Sequence, residues 1–221
     1  RLPREPGSRP VRPPSYGIER LAEYSCDDVT AIGSVYELLS RIWIREVDAE
    51  LLHAMQTPEL SNALRVLGMS QPTETLEDLA TEYCRLFIGP RDHLLPIQSV
   101  WQKSQLESEA VASVKKFAVL VGYEISKGVI QDHLGVELAL MSRCVFLTTE
   151  QGNRGNSFDE NRRQRSAAQD AAAIFFQRHL SWASPLLLAT TQRAGLDFYR
   201  SLAEVTQQFL VLERDVWVPE S

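Results

Sequence analysis

The chain has 221 residues, 44% of them apolar and 24% charged, which is enough apolar material to fold around a core without disulfide or metal staples. Its formal net charge of −6 is uneven, with +3 in residues 1–20 and −9 in the remainder, so the body is acidic and suits a basic partner better than nucleic acid. The longest apolar runs, 117–121 and 186–189, fall far short of the roughly 20 residues needed to cross a bilayer. With no apolar signal-like start, the sequence predicts a cytoplasmic protein without a transmembrane anchor.

Residues 1–17 hold five prolines among arginines and almost nothing to bury, which predicts a disordered leader. Over 28–44, Ile32, Val35, Tyr36, Leu39, Ile42 and Trp43 recur at three- and four-residue spacing, the signature of one buried helical face, with Asp27 or Asp28 as cap. A helix over 48–56 follows, then one opened by Thr57 with Pro58 in its first turn and closed by Gly68. The next spans 75–87 and stops at Gly89-Pro90, and residues 89–103 read as loop. Ser104 and Glu107 form a capping box for a helix ending near Gly122. Asp132 caps a helix over 132–149, and residues 151–157 are a Gly/Asn-rich break. Ser157 and Glu160 open a helix reaching Trp182, Ser184-Pro185 marks a restart, and Leu196, Tyr199, Leu202, Val205, Phe209 and Leu212 line a last helix over 196–212. No segment alternates with period two, so the expected fold is all-α: a bundle of about nine helices.

Cys26, Cys84 and Cys144 are odd in number and widely spaced, which argues against a disulfide framework and a zinc site and predicts buried, reduced thiols. Three segments carry unusual chemistry. Tyr83, Phe87 and Trp101, around the stop at Gly89-Pro90 and Pro96, supply aromatic surface for a groove or for the core. In Asp132-His133-Leu134-Gly135-Val136-Glu137, His133 and Glu137 share a helical face, but a metal needs further ligands and His53, His93 and His179 have no matching spacing. Phe175, His179 and Trp182 share a face, the pattern of a satisfied core histidine among packed aromatics. No nucleophile elbow, Walker loop or dinucleotide fingerprint is present.

Together, Glu82-Tyr83, Leu86-Phe87 and Gly89-Pro90, then Pro96, Ser99 and Trp101, then Asp132-His133-Leu134 with Glu137-Leu138 and Met141, then Phe176, His179-Leu180 and Trp182, resemble the TorD/DmsD family of twin-arginine redox-enzyme maturation chaperones, which includes NarJ-like proteins. The resemblance runs from about residue 30 to 212. It implies one TorD-like domain with helical subdomains over 18–130 and 131–221, joined by a hinge near 123–132, and a monomer or a domain-swapped dimer. The implied function is a non-catalytic cytoplasmic chaperone, with no cofactor or metal of its own. It would bind the signal peptide and apo catalytic subunit of a molybdenum-cofactor oxidoreductase and promote cofactor insertion before export. The peptide site expected on this basis is Asp132, His133, Tyr83, Phe87, Pro90, Pro96 and Trp101. Two departures from the family pattern stand out: Ile130-Gln131 where a proline commonly precedes Asp-His, and Trp101 where tyrosine is common. The alternative from another class is a helical metal-dependent hydrolase using His133, Glu137 and His93.

Overall fold

The computed structural model describes residues 25–69, 71–103, 109–150 and 158–218. The expected leader, the Ser104/Glu107 box, the break over 151–157 and the cap at Ser157 lie outside them. Among the described residues the regular structure is helical: α1 Cys26–Trp43, α2 Ala49–Met55, α3 Pro58–Val66, α4 Leu76–Tyr83, α5 Gln98–Lys103, α6 Glu109–Val121, α7 Leu134–Glu150, α8 Phe158–His179, α9 Ala183–Arg193 and α10 Asp197–Trp217. The one addition to the expected set is α5, inside a stretch predicted as loop.

Local chemistry explains most boundaries. Ser25 caps α1 in a reciprocal box with Asp28, so the two aspartates sit in the first turn and the cap lies ahead of both Asp27 and Asp28, the positions the sequence suggested. Asp48, Thr57 and Thr75 cap α2, α3 and α4 through their side chains. Gly68 and Gly122 close α3 and α6 with φ of +80° and +65°, a conformation glycine adopts without penalty. Cys26 and Cys84 are exposed, contrary to expectation, because they fall on the outer faces of their turns; only Cys144 is buried, and all three are free.

Helix α1 is the spine of the molecule. It runs against α7, where Ser40 donates to the carbonyl of Gly135 at 2.7 Å and Ser142 to that of Gly33 at 2.9 Å. The pairing of 40 with 135 and 33 with 142 makes the two helices antiparallel. Small residues allow the approach: a Cβ on Gly135 would lie 2.8 Å from the Cα of Ile44. The adjoining flank of α1 meets α10, where Tyr36 and Trp217 both donate to Glu213 and Trp43 donates to Thr206. A single apolar cluster, from Val29 to Trp217, joins these helices.

At its C-terminus α4 widens into a π turn, Cys84–Ile88, in which the amide of Gly89 reaches back to the carbonyl of Cys84. Such an insertion re-aims the side chains that follow it. Here Tyr83 and Phe87 turn inward against Trp43 and Tyr199, with Phe87 5.4 Å from Trp43 and 5.0 Å from Tyr83 between ring centroids. The carbonyl of Leu86 is taken by the amide of Leu94. The chain beyond Pro90 is thereby folded back toward the start of α7.

Candidate functional site

The segment over 89–103 and the start of α7 are held together by one short antiparallel bridge between Ile97 and His133. Leu134 donates its amide to the carbonyl of Pro96 at 2.8 Å, and Gln98 donates to that of Asp132 at 2.9 Å. The Asp132 carboxylate then accepts the amide of Ser99 at 2.9 Å. Asp132 therefore caps α5, a helix 33 residues away in sequence, rather than α7 as its position suggested. The cap of α7 is His133, whose carbonyl receives the amide of Glu137 and whose Nδ1 receives that of Gly135 at 3.0 Å. This division of labour explains why α5 was illegible: the carboxylate that satisfies its first amides is supplied from outside its own segment.

Behind the bridge lies a buried polar network. The amide nitrogen of Gln98 donates to the carbonyl of Arg178, so its amide oxygen faces Nδ1 of His179 at 2.9 Å. An oxygen there requires His179 to carry its proton on Nδ1, leaving Nε2 to accept from the Ser113 hydroxyl at 2.9 Å. Glu137, with 0% of its surface exposed, accepts the Trp182 indole at 2.8 Å and lies 3.9 Å from His179. Burial pushes its carboxyl well above the ordinary range, so the pair is neutral rather than ionic. Burial likewise pulls His133 and His179 down to about 4. One oxygen each of Asp132 and Glu137, and the hydroxyl of Ser99, are buried without a hydrogen-bond partner among the described residues.

The residues expected in the peptide site divide by accessibility. Tyr83, Phe87, Pro96 and Asp132 are buried, His133 and Trp101 are half-buried, and Pro90 is exposed. Tyr83 hydrogen-bonds the carbonyl of Trp43 and, with Phe87, belongs to the aromatic core. Trp101 donates its indole to the carbonyl of Leu95 and, with His93, Leu94, Leu95 and Val100, walls a shallow pocket of about 300 Å³. Sequence reasoning missed Gln98 and Ser113, which give no local signal because their partner, His179, arrives from α8. The metal-hydrolase alternative finds no support: Glu137 faces Trp182 while His133 faces Gly135, and no group of three or more His, Cys, Asp or Glu among the described residues is arranged to hold a metal.

These neutral buried groups set a pH dependence. The unfolded chain protonates its histidines below about 6.5, whereas folded His133 and His179 stay unprotonated to about 4, so together they make stability rise with pH across that window. Glu137 and Glu213, both raised first by burial, act oppositely: the folded state holds their protons above the usual 4.5, and stability falls as pH climbs. The histidines and the carboxyls therefore oppose one another above about 4.5. Relative to wild type, Glu137→Gln is expected to make the urea midpoint climb more steeply with pH above about 4.5, and His179→Gln less steeply between about 4 and 6.5, each changing the slope by up to about 1.4 kcal/mol per pH unit. An unchanged slope in Glu137→Gln would mean that Glu137 is ionised in the fold.

Among known families, the one described as nitrate reductase delta subunit matches residues 48–187, from the cap of α2 into α9. No curated protein matches the chain. Among the described residues, no helix is long and apolar enough to cross a membrane.

Proposed function

From the premise that this chain belongs to the nitrate reductase delta subunit family, whose members are molybdoenzyme maturation chaperones of the TorD/DmsD-like superfamily, we propose that it works by capturing a client's leader. The client is the apo catalytic subunit of a molybdenum-cofactor oxidoreductase, held in the cytoplasm through its twin-arginine signal peptide until the cofactor is inserted. The observation that carries this reading is the Trp101 pocket, which opens on a segment pinned to α7 by Asp132.

A twin-arginine leader offers two guanidinium groups followed by an apolar, helix-prone stretch. The pocket offers aliphatic and aromatic walls for the apolar part. For the arginines, the proposal uses the partnerless oxygen of Asp132. That oxygen is reached when the first turn of α5 lifts, a step opposed by the bond from Ser99 to Asp132, the two backbone bonds of the bridge and the Gln98 side-chain bonds to Arg178 and His179. His133, neutral at physiological pH with Nδ1 accepting from Gly135, contributes shape and an Nε2–H donor rather than charge. Residues 123–132 serve as the hinge between halves over 18–130 and 131–221. A dimer formed by exchanging those halves would be visible by sizing.

Calorimetric titration with a synthetic peptide bearing Arg-Arg and a following aliphatic stretch is expected to give one-to-one binding that weakens with salt, because the arginine contribution is electrostatic. The same peptide with both arginines changed to glutamine should bind more weakly. Equal affinity for the two peptides would reject the arginine reading.

A further inference from the structure

Three side-chain atoms of the buried network behind the bridge are enclosed with no hydrogen-bond partner among the described residues: the hydroxyl of Ser99, Oδ1 of Asp132 and Oε1 of Glu137. They are not scattered. The second oxygen of Asp132 holds the Ser99 amide at 2.9 Å, and Glu137 stands in the first turn of the helix that follows Asp132. Oε1 of Glu137 lies 3.9 Å from Nδ1 of His179, which is bound to Gln98, the neighbour of Ser99. These links close a ring through Ser99, Asp132, Glu137, His179 and Gln98, and all three lone atoms belong to its members. Burial above all raises the Glu137 carboxyl, and the charge of Asp132 adds to it, so the two acids are within electrostatic reach of each other. With 1% of Ser99 and none of Asp132 or Glu137 exposed, bulk solvent does not serve these atoms.

The hydrogen-bonding character of each atom defines what fits. Oε2 of Glu137 accepts the Trp182 indole at 2.8 Å, so the neutral carboxyl carries its proton on Oε1. That O–H needs an acceptor, and Nδ1 of His179 is already protonated and too far away. Oδ1 of Asp132 needs a donor, and the Ser99 hydroxyl serves as either. The occupant must therefore accept from Glu137 and donate to Asp132. A metal cation does not fit a site that presents a proton, and no group of three or more His, Cys, Asp or Glu among the described residues is arranged to hold one.

We infer that the α5–α7 junction binds one ordered water, which accepts from Glu137, donates to the Asp132 carboxylate and is bonded to the Ser99 hydroxyl. About three such bonds are usual for a buried water. The water joins acid to carboxylate without their touching. It offsets only part of the cost of burying these groups, because it is itself immobilised. The site does not depend on whether Asp132 also meets the arginine of a leader.

The test is high-resolution diffraction from crystals of the full chain, wild type and Glu137→Gln, with infrared spectra of both in solution at neutral pH. One density peak is expected about 2.5–3.0 Å from Ser99 Oγ, Asp132 Oδ1 and Glu137 Oε1. Glu137→Gln should retain it, because an amide N–H replaces the acid O–H while the amide oxygen keeps the Trp182 indole. The carbonyl stretch of a protonated carboxyl should be lost from the wild-type spectrum on that substitution. An empty site, or Glu137 Oε1 in direct contact with Asp132 Oδ1, would overturn the inference. So would identical infrared spectra in the carboxyl region, which would mean that Glu137 is ionised and offers no proton. If Glu137→Gln does not fold, the wild-type density still decides between water, direct contact and an empty site. Neither measurement involves a peptide, so failure here is distinguishable from failure of the leader reading.

Discussion

Gly135→Val is expected to cost at least about 3 kcal/mol of unfolding free energy, a large share of the roughly 5–15 kcal/mol that holds a domain together. A Cβ at 135 would lie 2.8 Å from the Cα and Cβ of Ile44 and 2.9 Å from its backbone nitrogen. Two of these are backbone atoms of the residue that follows α1 and the third is the Cβ fixed to them, so no side-chain rotation can make room. The helices would have to part, breaking the bond from Ser40 to the Gly135 carbonyl and shifting Asp132 and His133, which lie directly upstream. Gly33, at the far end of the same seam, makes the control. Its added Cβ would meet only the ring of Phe146, so Gly33→Ala is expected to cost about 1 kcal/mol. Urea titration of the two variants separates these outcomes, and a Gly135→Val protein within about 0.5 kcal/mol of wild type would refute the close-packing account.

The same glycine illustrates what the sequence yields and what it withholds. The apolar periodicity of α1 and α10 is strong because each helix buries one stripe, and residues such as Tyr36, Leu39, Trp43, Tyr199 and Leu202 fall inside as their spacing demanded. The cap at Thr57 was readable, and Asp48 and Thr75 stood at the expected starts of their helices, because the capping side chain and the amide it satisfies are three residues apart. Asp132 looked like a cap for the same reason, and it is one, but for α5. A carboxylate at a helix start satisfies the nearest amides in space, and only the fold brings those of residues 98–103 to it. Gly135 carried no signal in the chain, since its requirement comes from Ile44 on another helix.

The family resemblance reached further than periodicity did, because it rests on residues that belong to one assembly. Pro96, Ser99, Asp132, His133, Glu137, His179 and Trp182 are scattered over more than 80 positions, yet all take part in the bridge or in the buried network behind it. Glu137 had no assignable role in the sequence; in the fold it is the acceptor for the Trp182 indole. A network with several partnerless atoms is costly to bury, by about 1–3 kcal/mol for each. That cost weakens the α5–α7 junction, where Ser99 and Asp132 carry two of these atoms.

Trp101→Ala is expected to weaken leader binding by about 2–4 kcal/mol, or roughly 30- to 1,000-fold, the range of a buried aromatic anchor. Trp101 is half-buried and forms one wall of the pocket, so truncation removes much of the apolar surface a leader would cover. Its cost to the fold is smaller, because the one hydrogen bond lost is to the Leu95 carbonyl, which water can then reach. Trp101→Phe keeps the apolar wall without the indole donor and should bind between the two. Asp132→Asn sharpens the comparison: its amide oxygen can still accept from Ser99, so α5 remains capped while the charge is gone. If Asp132 meets an arginine, this variant should lose about tenfold in affinity for the Arg-Arg peptide and nothing for the Gln-Gln peptide, with its urea midpoint nearly unchanged. Asp132→Ala, which strips the cap as well, should lose stability along with binding. An Asp132→Asn protein that binds both peptides as wild type does would leave Asp132 a purely structural cap, with the pocket at Trp101 carrying recognition alone.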